Sequence, residues 1–223
     1  MKRRFIPLLL AAALCLGLLT IGAAAEGPYT ADDYSYVYVN DTDLVTKQDH
    51  TVACGEGTAT LNVDTATLTL EDATLEIGNI NAYFESQAEE KTLTVVLKGE
   101  NSITTQYSGI YTNGNMVVKA DAGASLKIEA TGEVNGINAW CNLTIDGGTY
   151  DVSSGYPAFY SGNDLTIQGG ANVVKATATN DSAIYAANKI TITGEGTSVN
   201  ADAYYCAVFG KTGGVTISNG AAL

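Results

Sequence analysis

The sequence predicts an all-β fold: a single-stranded, right-handed parallel β-helix with three short strands per coil and six to seven coils. Three observations predict it. An apolar-x-apolar phrase recurs down the chain, each recurrence keeps the period of two that strands require, and glycine and asparagine punctuate the gaps. The phrase is plainest where LTIDGGTYDV at Leu143 returns as LTIQGGANVV at Leu165.

The first 25 residues stand outside this pattern. Lys2, Arg3 and Arg4 precede a mostly apolar run from Phe5 to Ile21, followed by Ala23, Ala24 and Ala25. That is the layout of a secretory signal peptide, so residues 1–25 are read as a leader and the mature protein as secreted or held at the cell surface. No later apolar run is long enough to span a membrane.

Both arginines lie in the leader, which leaves 8 Lys against 24 Asp and Glu and a mature net charge of −16. Such a surface repels nucleic acid and anionic membrane, and suits cations or neutral ligands. Three mature cysteines, Cys54, Cys141 and Cys206, cannot form a closed disulfide set. His50 is the sole histidine and no cysteines are closely paired, which argues against a zinc site.

Residues 26–62 carry Tyr29, Tyr34, Tyr36 and Tyr38 in a looser pattern and are read as an N-terminal cap. A cap is needed because an open β-helix end exposes unpaired backbone groups. The coils follow at 63–223. Their first strands begin at Leu68, Val95, Met116, Leu143, Leu165, Ile190 and Val215. A second strand is expected at Leu75/Ile77, Tyr150/Val152, Asn172/Val174 and Thr197/Val199. A third is small-apolar-aromatic: Ala82-Tyr83-Phe84, Gly109-Ile110-Tyr111, Gly136-Ile137-Asn138, Ala158-Phe159-Tyr160, Ala183-Ile184-Tyr185 and Ala207-Val208-Phe209. One coil cannot bury its own apolar face, so stacking must build the core. Leu223 falls inside the seventh repeat, which reads as the interior of a longer chain.

Alternation assigns faces. On the first strands it turns a threonine outward, at Thr69, Thr144, Thr166, Thr191 and Thr216, with Val96 and Val117 interrupting. On the third strands it turns outward Phe84, Tyr111, Asn138, Tyr160, Tyr185 and Phe209, with Trp140 available to fill the gap at Asn138. Aromatic side chains repeating at ~4.8 Å suit the C–H faces of sugar rings, although outer tyrosines also stabilise neighbouring strands directly. The expected carbohydrate-binding residues are therefore Phe84, Tyr111, Trp140, Tyr160, Tyr185 and Phe209.

Calcium binds through oxygen ligands from several groups, and adjacent turns of a rod can supply them. Asp121, Asp146 and Asp164 are the candidate ligands. Asn115, Asn142, Asn163 and Asn188 precede successive first strands and are read as left-handed turn residues and ladder hydrogen bonders. Enzyme chemistry finds few footholds. A lyase base of the arginine type is missing from the mature chain. Lys98, Lys119 and Lys175 form no cluster, and His50 lies upstream of the coils without a GxSxG elbow. No catalytic residue is assigned.

Four stretches, LKGENSI at 97–103, SGIYTNGN at 108–115, NGINAWCNLTIDGG at 135–148 and SAIYAANKITITGEG at 182–196, carry a family resemblance. Over residues 65–223 the chain resembles the secreted β-helix carbohydrate-binding proteins of clostridia and their gut relatives. The resemblance implies binding of cell-wall polysaccharide such as cellulose or polygalacturonate, with calcium in the turns. The sequence-based expectation is thus a non-catalytic polysaccharide binder. Its rivals are an adhesive rod with a protein partner and, behind that, a polysaccharide lyase or hydrolase.

Overall fold

The computed structural model describes residues 29–223; the leader lies outside the described residues. The chain is a parallel β-helix of about six turns. Three sheets form its walls: sheet A of eight strands, sheet B of nine and sheet C of six. Each full turn of the coil contributes one strand to each wall, and these strands pair in parallel with those of the adjacent turns, while antiparallel N-terminal strands extend sheets A and B.

Like stacks on like in the interior. In sheet B, Leu68, Val95, Val118, Ile145, Ile167 and Ile192 occupy one register line. In sheet A the line is Ile80, Ile110, Ile137, Phe159 and Ile184, all fully buried. Sheet C contributes Leu75, Ile103, Ile128, Val152 and Ala176. β-branched side chains pack well on such pleated surfaces. Each fully buried Ile or Leu contributes about 1.5–3 kcal/mol, so the core is strong only as a stack.

Several inward positions are polar, Thr112, Ser154, Ser161 and Asn101 among them. Asn101, 4 % exposed, lies in register with Leu126 and takes the place of an apolar residue. Its Oδ1 accepts the N–H of Ala73 at 2.9 Å, and its Nδ2 donates to the carbonyls of Lys98 at 3.1 Å and Ser125 at 3.3 Å. Those bonds tie three turns together and satisfy the buried amide.

The N-terminal segment covers the first coil on two walls. Tyr34–Val39 pairs antiparallel with Ile80–Phe84 at the edge of sheet A, and Gly57–Asn62 pairs antiparallel with Thr67–Glu71 in sheet B. Thr51–Cys54 then closes a hairpin onto Gly57–Asn62. Lys91 clasps the cap to the second coil: its Nζ bonds Asp33 Oδ1 at 2.8 Å and lies 5.1 Å from the centre of the Tyr29 ring. The Tyr29 hydroxyl accepts the N–H of Thr92 at 3.0 Å.

Local features overturn four sequence readings. In the first coil Ile80-Asn81-Ala82, not Ala82-Tyr83-Phe84, stands in register with Ile110-Tyr111-Thr112. The first-strand segment at Val95 is longer than its phrase, and Leu93 is the residue opposite Met116. Ile77 is 84 % exposed with φ +61°, so the second strand of that coil stops at Glu76. In Asn172–Ala178 a bulge inserts Val174, so Val173 and Ala176 face inward while Asn172 and Val174 face out. A one-residue insertion exchanges the faces of a strand, which is why simple offsets fail there.

Candidate functional site

The outer face of sheet A carries the only long run of aromatic side chains in strict register among the described residues. One line crosses seven strands: Tyr38, Asn81, Tyr111, Asn138, Tyr160, Tyr185 and Phe209. None of the seven carries a charge. The alternation that buries Ile110, Ile137, Phe159 and Ile184 is what turns their successors outward.

The rings form two clusters. Tyr160 and Tyr185 stack at 5.4 Å with 10° between their planes, and Phe209 lies 5.9 Å from Tyr185, tilted by 55°. At the other end Tyr36 lies 4.9 Å from Tyr38 and 5.7 Å from Tyr83, across the antiparallel pair. Burial raises the phenol pKa values of Tyr36, Tyr111 and Tyr160 above the ordinary tyrosine range, so these hydroxyls stay protonated and can donate. Because Tyr160 and Tyr185 cover each other's faces, a ligand meets their rims and hydroxyls on that stretch.

Tyr111, Tyr160, Tyr185 and Phe209 therefore stand where the sequence placed them, on one outer line. Two of the expected residues do not join it. Phe84 is 1 % exposed and packs inward against Tyr34 at 5.3 Å and Tyr29 at 6.2 Å. With Ile80 in register with Ile110 and Ile80, Ala82 and Phe84 all buried, alternation carries this aromatic into the core. Trp140 is 63 % exposed but lies beyond the strand Ile137–Ala139, in the turn toward sheet B. Its place in the line belongs to Asn138, itself 7 % exposed between Tyr111 and Tyr160. Sequence reading missed Tyr36, Tyr38, Tyr83 and Asn81. The period-two spacing of Tyr34, Tyr36 and Tyr38 marked a strand, yet its antiparallel docking on sheet A has no repeat to announce it.

The threonine face on sheet B is more regular than its sequence suggested. Thr67, Thr94, Val117, Thr144, Thr166, Thr191 and Thr216 form one line, broken by Val117 alone. Val96 belongs to a second line beside Lys119 and Asp146, so charge interrupts any flat hydroxyl array there.

The three candidate calcium ligands lie on two different rows of turns. Asp121 and Asp146 leave neighbouring turns between sheets B and C, whereas Asp164 lies in a turn between sheets A and B. Asp164 Oδ1 is already committed, to Asn188 Nδ2 at 2.7 Å and to the Lys189 N–H at 3.2 Å. Among the described residues no three His, Cys, Asp or Glu side chains gather as metal ligands. Asn115, Asn142, Asn163 and Asn188 do form ladder hydrogen bonds, but none adopts the left-handed conformation expected of it.

His50 Nδ1 lies 2.7 Å from the carbonyl of Leu44, inside the cap. Cys54, Cys141 and Cys206 are all free thiols, and burial raises the pKa of the first two. No helix among the described residues is long and apolar enough to cross a membrane. Compared with known proteins, the chain matches no family model, no curated protein and no solved structure.

Proposed function

We propose that this chain is a secreted or cell-surface polysaccharide-binding protein that holds its ligand on the outer face of sheet A without cutting it. The observation that carries the reading is the uncharged register line of Tyr38, Asn81, Tyr111, Asn138, Tyr160, Tyr185 and Phe209. Side chains of this kind repeat once per strand, at ~4.8 Å. A rigid array of that length matches an extended polymer better than a single sugar. Phenol hydroxyls and amides supply donors and acceptors for sugar hydroxyls, and ring rims supply apolar contact. The strongly acidic remainder of the surface disfavours polyuronates and favours neutral glycans.

Affinity electrophoresis across soluble polysaccharides, with pull-down on insoluble cellulose, tests this. Retardation of the folded protein with the polymer left uncut supports it. Tyr160→Ala combined with Tyr185→Ala should then abolish most of the retardation while circular dichroism still reports the coil. A folded wild-type protein that no polysaccharide retards would sink the reading and favour a protein partner, for which tyrosine-rich surfaces are equally suited.

A further inference from the structure

A second concave surface lies on a different wall. A groove of about 520 Å3 runs over the outer face of sheet C and the turns that leave it, lined by Glu129, Glu133, Ser153, Lys175, Thr179 and Asn180. We propose that this groove is a second ligand site, specific for a glycan unit that carries a free amine, such as an unacetylated hexosamine.

The groove is built by backbone rather than by flexible side chains. Gly132 and Gly155 lie in successive turns, and a Cβ on Gly155 would collide with the carbonyl of Gly132. A Cβ on Gly132 would lie 2.7 Å from the carbonyl of Gln106. Only glycine permits turns stacked this closely, and their bare backbone leaves the hollow open. The Cα of Glu133 would itself lie 3.1 Å from a Cβ on Gly155, so the turn that carries Glu133 is held against its neighbour. On the floor, the bulge at Val174 brings Lys175 into register with Asp151 on the outer face.

Charge decides what fits. Lys127, Asp151 and Lys175 follow one another in register across three strands. Lys127 pairs with Glu129 at 2.8 Å and Lys175 faces Asp151 at 4.0 Å, so each lysine has a carboxylate of its own. Glu133 has no cationic partner among the described residues, which leaves one negative charge in excess at the groove. A uronate is repelled there. A neutral sugar can use the hydroxyls of Ser153 and Thr179 and the amide of Asn180, and offers Glu133 only a hydroxyl donor. An amine-bearing sugar offers Glu133 a cationic donor as well, so that both partners of the hydrogen bond are charged. Because the site is exposed, its attraction weakens as salt rises. It does not depend on the aromatic line of sheet A.

Calorimetry of the full chain with three tetramers tests the proposal: β-linked glucosamine, its N-acetylated form and a neutral glucose tetramer, at low and high salt. The glucosamine tetramer should bind about two- to fivefold more tightly than the other two at low salt, as an exposed ion pair implies. Glu133→Gln should remove that preference, and Glu195→Gln, on an exposed turn elsewhere, should leave it intact. The Tyr160→Ala, Tyr185→Ala variant should also keep it, which separates this site from the aromatic face. Equal binding of the three tetramers, no binding at all, or equal losses in the Glu133 and Glu195 variants would overturn the proposal.

Discussion

Asp164 accepts, on a single oxygen, both the Nδ2 of Asn188 at 2.7 Å and the backbone N–H of Lys189 at 3.2 Å. One coil earlier, Asn142 does the same for Asn163 Nδ2 at 2.9 Å and the N–H of Asp164 at 3.2 Å. Before that, Asn115 Oδ1 receives Asn142 Nδ2 at 2.8 Å and its N–H at 3.0 Å. A carboxylate thus continues an asparagine ladder, and its task is to accept hydrogen bonds from the next turn.

That role separates two substitutions. Asp164→Asn keeps an acceptor in place and should cost less than about 0.5 kcal/mol, whereas Asn142→Ala removes the acceptor for Asn163 and Asp164 and the donor to Asn115 at an exposed site, and should cost about 0.5–1.5 kcal/mol. Urea denaturation measures both. A large loss in Asp164→Asn would show that the charge itself is needed at this position.

The aromatic line should matter to stability as well as to binding. Tyr185 touches rings on both sides, and aromatic pairs contribute about 0.5–1.5 kcal/mol each, so Tyr185→Ala should cost about 1–3 kcal/mol. Tyr185→Phe keeps both contacts and should stay within about 0.5 kcal/mol. Thermal melts that rank the two variants alike would remove the stack as a source of stability.

Tyr150 is fully buried against Phe159, and its hydroxyl has no hydrogen-bond partner among the described residues. Burial pushes its phenol pKa well above the ordinary tyrosine range. A buried polar atom without a partner costs about 1–3 kcal/mol. Tyr150→Phe should accordingly be neutral or stabilising, with a higher urea midpoint. A clear loss of stability would reveal a bond made by that hydroxyl.

The cap carries a pH-dependent contribution. Hydrogen bonds from Lys91 and from the Thr30 backbone hold the Asp33 carboxyl below its ordinary pKa. Folding therefore favours the ionised form, and its contribution is complete above the unfolded carboxylate value of about 3.9 and lost as pH falls through the lowered folded value. Asp33→Asn should cost up to about 1 kcal/mol near neutral pH, because this pair is only partly shielded. The gap to wild type should close in acid, read from melting temperatures across a pH series. A gap that persists in acid would assign the loss to packing instead.

Much of this molecule is legible one coil at a time. In sheet B from Leu143 to Ile192 the phrase and the parity agree, and the pairing follows them residue for residue. Tyr160 and Tyr185 could be placed on an outer line because each follows a large apolar residue, Phe159 and Ile184, that must face the core. Period two fixes the side of a strand from local chemistry alone, and it fixed these.

Three things required the assembled chain. Phe84 lies in the core because Ile80, in register with Ile110 across the coil, sets the parity of Ile80–Phe84, and because Tyr29 and Tyr34 of the N-terminal segment cover it. Lys175 faces the groove because one extra residue, Val174, is absorbed as a bulge, and whether a strand bulges or slips is decided by what its neighbours can pack. The ring faces of Tyr160 and Tyr185 are covered by each other because stacked turns bring adjacent strands to within one ring thickness or so, a distance no single turn contains. The sequence by itself determined the coil and the side on which each side chain of a regular turn emerges, because both follow from alternation within a few residues. Only the tertiary structure decided register at the cap, the mutual burial of the aromatic faces and the charge balance of the groove, because each depends on residues that meet only once the turns are stacked.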